Sequence, residues 1–244
     1  MIGWVHSTFT AAGIAHDTYR KGSGPGVIIV HEIPGITPTV EKFANEVVEA
    51  GFTVIMPLLV GKVGKAPSGK YIASTFVKVC ISKEFTTMAL QKTSPVISWL
   101  RALAKQLHTE IGGVGVGAVG MCFSGGFALG MMVDDVVVAP VVSQPSLPFS
   151  FGPARAGDLN LSAEDAARVA ERAAQGCQVL GLRYTGDKLV GTRFDELRKL
   201  LGDAFVAVEF ESTKKSDHSV LTEQRQDEGV RQVIEFLKAK LQQV

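Results

Sequence analysis

The chain has 244 residues, with 25 basic and 24 acidic side chains and a formal net charge of +1. That balance carries no general attraction for nucleic acid or an anionic membrane surface. Hydrophobic residues make up 46% of the sequence, enough for a large core, and no linker, repeat or low-complexity tract divides it, so one α/β domain over residues 1–244 is expected.

The N-terminal stretch Met1–Thr10 lacks a charged region leading into an apolar core, so no signal peptide is read there. The first apolar run is Val27–Val30, short and β-branched after G-S-G-P-G, and it reads as a buried strand. A helix over 38–50 follows, with Val40, Phe43, Ala44, Val47 and Val48 on one face and Gly51 placed to end it. Phe52–Met56 is the next strand. Residues 58–92 show no clean period and read as an excursion near the site. Ser94-Pro95 opens a helix as a capping side chain with proline in the first turn; Val96, Ile97, Leu100, Leu103, Ala104 and Leu107 make its apolar face. Val114–Met121 is a strand, Ser124–Met132 a helix and Val136–Val142 a strand. Ser162-Ala-Glu-Asp165 resembles a capping box opening a helix to about Gln175. Val179–Tyr184 is a strand, a helix runs from Thr192 to near Gly202, Ala204–Phe210 is the last strand, and residues 221–242 form a terminal helix.

Strands that are apolar throughout and alternate with helices predict a mostly parallel sheet covered by helices on both faces. In such a sheet ligands bind at the carboxyl ends of the strands. The residues just after each strand are therefore the candidates for chemistry.

After Val114–Met121 comes Gly120-Met-Cys122-Phe-Ser124-Gly-Gly126. A nucleophile on a strained strand-to-helix turn needs small neighbours, and a thiol at a helix start has its thiolate stabilised by the free amides there. Taken alone, Cys122 is equally well read as a small buried core residue. Asp187 follows strand Val179–Tyr184, and His218 lies between the last strand and the last helix. The chain order nucleophile, acid, base is that of α/β-hydrolases. Asp187 by itself could be a turn former and His218 a solvated loop residue; the joint placement of all three is what carries weight. His31-Glu-Ile-Pro-Gly35 follows the first strand. An oxyanion hole takes one amide from this loop and one from the residue after the nucleophile, which nominates Ile33 and Phe123. Glu32, a carboxylate at a strand end, reads by itself as a surface charge.

H-E-I-P-G, G-M-C-F-S-G-G, the D-K-L-V loop and the D-H-S segment resemble the dienelactone hydrolase family, from about Val27 to the last helix. The cysteine is the specific part, since most relatives of this α/β-hydrolase fold use serine. The resemblance implies a Cys-His-Asp triad acting on an enol-lactone. It also implies that Glu32 contacts the resting thiol and rearranges when substrate binds. Two positions depart from the family pattern. Ser124 stands where the family has glycine, and Thr222 stands where an arginine binds the substrate carboxylate. Arg225, one helical turn on, and Lys83, in the segment where a second arginine falls in the family, are the candidate replacements.

Gly115-Val-Gly117-Ala-Val-Gly120 matches a dinucleotide fingerprint, but its glycines fall inside the expected strand and not at a helix start. The five histidines have no paired spacing, so no metal site is expected, and the chemistry requires no cofactor. Cys80, Cys122 and Cys177 form no CxxC pair, which favours a reducing cytoplasm over a disulfide framework. The expected activity is hydrolysis of a small ester or lactone through an acyl-enzyme. A different small ester as substrate, or a non-catalytic ligand-binding or thiol-sensing protein on the same fold, are the competing readings.

Overall fold

The computed structural model describes residues 1–85, 92–146 and 156–242. Eight strands form one sheet: β1 (Val5–Ala11), β2 (Ile14–Lys21), β3 (Gly26–Val30), β4 (Thr53–Leu58), β5 (Val116–Met121), β6 (Val137–Ser143), β7 (Val179–Tyr184) and β8 (Phe205–Phe210). Their order is β1-β2-β4-β3-β5-β6-β7-β8. β1 and β2 run antiparallel to their neighbours, and β4, β3 and β5 to β8 pair in parallel.

The described helices are α1 (Pro38–Glu49), α2 (Gly69–Ile81), α3 (Pro95–Ile111), α4 (Gly125–Met131), α5 (Ala163–Ala174), α6 (Arg193–Leu201) and α7 (Asp227–Leu241). Alternate strand residues feed two cores. Val27 and Ile29 join α1 and α7 on one face, while Ile28 and Val30 join α3 and α4 on the other. A third cluster unites α5 and α6 with β6 and β7. Burial on both faces is why the central strands are apolar runs with no alternation.

Several expected elements are corrected. β1 and β2 are announced by no apolar run. They form an edge hairpin turned at Ala12 and Gly13, both at positive φ (51° and 74°), and β1 is largely exposed. The excursion at 58–92 contains α2, capped by Ser68, with Tyr71, Thr75 and Val79 buried four residues apart. Further apolar residues on its other faces (Ile72, Phe76, Val77 and Ile81) blur the period. Residues 86–91 of that segment lie outside the described residues. Ser94 does not cap α3; its hydroxyl bonds Asn160 Oδ1 at 3.0 Å. α7 begins at Asp227 and not at 221, because Val220 and Leu221 are buried from an irregular loop, so their apolar character does not mark a helical face. Gly117 and Gly120 of the glycine fingerprint fall in β5, as expected, and Gly115 lies just before it.

The sheet order places the site. From β3 the chain crosses through α1 to β4 on one side, and it later returns to place β5 on β3's other side. The crevice between the carboxyl ends of β3 and β5 is thus a topological switch point, where open α/β sheets bind ligands. Glu32 and Ile33 leave β3 there, and Cys122 leaves β5.

Candidate active site

Cys122 is the first residue after β5 and has φ of 56°, in the left-handed region that a non-glycine residue occupies only when its surroundings hold it there. Those surroundings are small by necessity. A Cβ on Gly120 would lie 2.1 Å from the Ser124 carbonyl oxygen, one on Gly125 would lie 2.8 Å from Pro145 Cα, and one on Gly126 would lie 2.7 Å from the Leu159 carbonyl oxygen. Ser124, the departure from the family pattern, ties the turn down. Its hydroxyl accepts from Met121 N at 2.9 Å and lies 2.9 Å from both the Val30 and Met121 carbonyl oxygens, joining β5 to β3. Gly120→Ala should therefore force the turn open and lower stability by roughly 2–3 kcal/mol. Thermal unfolding checks this, and an unchanged melting temperature would show that the turn yields freely.

His218 and Asp187 meet as their positions in the chain suggest. His218 Nδ1 lies 2.6 Å from Asp187 Oδ2, and Asp187 Oδ1 accepts from Leu189 N at 2.9 Å, so both carboxylate oxygens are held. The loop bearing His218 is fixed on either side. Asp217 Oδ2 accepts from Thr213 N and Lys214 N, both at 2.8 Å, and Tyr184 Oη donates to the Gln224 carbonyl. His218 Nε2 is buried and has no hydrogen-bond partner among the described residues. A His218 ring nitrogen, the Cys122 sulfur and a Glu32 carboxylate oxygen all lie within 4.8 Å of one another. Burial opposes charge on His218, but the neighbouring Cys122 and the Asp187 carboxylate outweigh it and hold the imidazole well above its usual 6.5.

Glu32 is 3% exposed, which corrects the reading of a surface charge. Ser219 Oγ donates to its Oε2 at 2.7 Å, Gln144 Nε2 approaches the same oxygen at 3.4 Å, and Thr222 Oγ1 donates to Oε1. Burial raises the Glu32 carboxyl above its ordinary value, against the Thr222 and Ser219 hydrogen bonds and the nearby His218. Thr222, at the position of the family's arginine, thus serves Glu32. The resting thiol has a different hydrogen-bond partner from the one the resemblance implies: Cys122 Sγ is 3.2 Å from Ser146 Oγ. Ser146 N also donates to the Cys122 carbonyl at 3.0 Å. Ser146, Ser219 and Gln144 have no signal in the sequence, since each is a single polar residue in a loop or at a strand end.

His31 is a structural residue. Leu59 N donates to Nε2 at 3.0 Å, so the proton is on Nδ1, which donates to the Glu32 carbonyl at 2.8 Å. Burial depresses it to about 4, and the neutral ring pins the strand end that carries Glu32 and Ile33.

These groups open onto a cleft of about 450 Å³. Ile33 and Phe123 line it beside Cys122, as do Pro34, Ile72, Phe76 and Leu189. Neither Lys83 nor Arg225 is among its described lining residues. The Arg225 guanidinium is committed to Glu46 at 2.8 Å and Asp227 at 2.7 Å, and Lys83 lies in the short 3-10 turn after α2. Among the described lining residues, the charged side chains apart from His218 are the carboxylates Glu32 and Glu223.

Residues 12–239 match the dienelactone hydrolase family. The chain belongs to that family. Solved structures agree with the dienelactone hydrolase fold. A putative dienelactone hydrolase from Klebsiella pneumoniae superposes with a TM-score of 0.64 at 17% identity, covering 99% of this chain and 98% of that one. The dienelactone hydrolase of Anabaena variabilis gives 0.66 at 12% identity, with 98% of each chain covered. A cold-adapted esterase from an Arctic intertidal metagenomic library gives 0.63 at 16%, covering 99% and 96%. No curated relative matches the chain. As a member of the dienelactone hydrolase family the protein is an ester hydrolase acting on a small molecule. No described helix is long and apolar enough to cross a membrane.

Proposed function

We propose that this hydrolase cleaves a small uncharged ester or lactone by acyl transfer to Cys122, with His218 as base and Asp187 as its orienting acid. The observation that carries the reading is the convergence, in one cleft, of a strained Cys122 with a His218 whose Nδ1 is held by Asp187 and whose Nε2 is left free. His218 takes the thiol proton, and Asp187 stabilises the imidazolium. The thiolate attacks the carbonyl carbon, and the developing oxyanion is received by the amides of Ile33 and Phe123. His218 returns the proton to the leaving oxygen, which for a lactone stays tethered to the acyl group. Water activated by His218 then releases the acid and restores the thiol. The chemistry needs no cofactor, and three free thiols fit a reducing cytoplasm.

The described walls of the cleft support an uncharged substrate. Apolar side chains line the cleft, Thr222 and Arg225 are engaged elsewhere, and Glu223 presents a carboxylate to an incoming anion. A chromogenic ester and an isosteric ester bearing a terminal carboxylate should differ in kcat/KM by tenfold or more in favour of the neutral one. Glu223→Gln should narrow that ratio about threefold, the scale of one partly screened charge. Equal rates on the two esters, or a ratio indifferent to Glu223→Gln, would remove the substrate assignment. An acyl adduct on Cys122, trapped by acid quench and located by peptide mass spectrometry, tests the chemistry itself.

A further inference from the structure

Positions 32, 122 and 218 are too far apart for any spacing rule to connect them, yet the fold gathers a carboxylate, a thiol and an imidazole with one atom of each within 4.8 Å of the others. We infer that Glu32, Cys122 and His218 form a three-ligand site for a soft divalent cation, Zn²⁺ foremost, and that its binding closes the active site. The binding stands on the geometry alone; the inhibition rests on the proposed acyl transfer.

Sulfur, imidazole nitrogen and carboxylate oxygen are the donors zinc takes, with water or an exogenous group in a fourth position. Bonds of roughly 2.0–2.3 Å place the ligand atoms of a tetrahedral ion roughly 3.3–3.8 Å apart. From separations within 4.8 Å, the three atoms therefore have to close by about 1.5 Å at most, a movement on the scale of side-chain rotation. A second observation points the same way. His218 Nε2 is buried without a hydrogen-bond partner among the described residues, while Nδ1 is bound to Asp187 at 2.6 Å. With the proton on Nδ1, Nε2 offers its lone pair, and a carboxylate behind a histidine is the support that zinc-bound imidazoles have. Glu32 is supported likewise, by Ser219, Thr222 and Gln144. The cleft in front of Cys122 provides the entry path and room for the fourth ligand. Hard cations such as Mg²⁺ and Ca²⁺ prefer all-oxygen sites and are not expected here.

The balance is simple. The thiol proton leaves to solvent as the metal takes the sulfur and Nε2 lone pairs, and nothing is oxidised or reduced. The ion occupies the nucleophile and the base together, so hydrolysis stops until it is removed.

Co²⁺ is the spectroscopic probe. Full-length protein, stripped with chelator under reducing conditions, should gain tetrahedral d–d bands and a thiolate-to-cobalt charge-transfer band on adding Co²⁺, and Zn²⁺ should abolish both. Cys122→Ala should lose the charge-transfer band. Glu32→Gln should weaken binding at least tenfold, while Cys80→Ser and Cys177→Ser should keep the full spectrum. In the ester assay Zn²⁺ should inhibit and EDTA should restore the rate. Absence of the charge-transfer band, its survival in Cys122→Ala, or unchanged affinity in Glu32→Gln would each overturn the site. A protein that hydrolyses no ester yet shows the expected spectra would keep the metal site and refute the hydrolytic reading instead.

Discussion

Replacing Cys122 by alanine is expected to abolish ester hydrolysis, lowering kcat by roughly 10⁴-fold or more, because the proposed acyl transfer uses the Cys122 sulfur, held on its strained turn beside His218, as its nucleophile. Folding should survive, since alanine removes only the sulfur from a position whose backbone is fixed by Gly120, Ser124 and Pro145. Assaying both proteins on a panel of short chromogenic esters and a dienelactone settles the nucleophile, and equal turnover by the two proteins would show that it lies elsewhere. The same variant carries a titration signature. Burial alone would push His218 down, and Cys122 together with Asp187 raises it. Without the sulfur the His218 pKa should fall, as read from the imidazole resonances by NMR. The sign for stability follows. A histidine raised in the fold contributes fully below its ordinary 6.5, and the contribution fades as pH climbs through the raised value. Wild type should therefore lose stability relative to Cys122→Ala as pH rises from 6.5 through the raised value.

Asp187→Asn is expected to cost about 10⁴ in kcat with little change in fold. Asp187 accepts at both oxygens, from His218 Nδ1 at 2.6 Å and from Leu189 N at 2.9 Å. An asparagine oxygen can keep only one of these bonds well. Its amide group, turned toward Nδ1, would demand an acceptor there and move the proton to Nε2, where it blocks the removal of the thiol proton. The loss should fall on kcat, with KM nearly unchanged, since Asp187 does not line the cleft. A loss confined to KM would point to a role in binding and not in orientation.

Much of this site was legible in the chain. Cys122 among small residues, Asp187 after a later strand and His218 before the last helix were identified by order and by their place after apolar runs. Those are backbone-level signals, and the parallel sheet follows from the same runs. The small neighbours of Cys122 are explained by contacts that leave no room for a Cβ at Gly120, Gly125 or Gly126. The hairpin of β1 and β2 was not legible, because an edge strand faces solvent and its residues carry no apolar run. Helix α2 was obscured because its cleft-facing and solvent-facing sides are apolar as well as its core side.

The sequence by itself determined the fold class, since strand-helix alternation is a local pattern, and it marked Cys122 among glycines as the candidate nucleophile for the same reason. Only the tertiary structure decided the state of Glu32. A carboxylate at a strand end becomes 3% exposed because Ser219, Thr222 and Gln144, from segments more than a hundred residues away, converge on it. It likewise decided that Ser146 bonds the thiol and that Arg225 is spent on Glu46 and Asp227 and does not face the cleft. Side-chain partners drawn from distant loops depend on how the sheet is ordered, and no spacing along the chain encodes that.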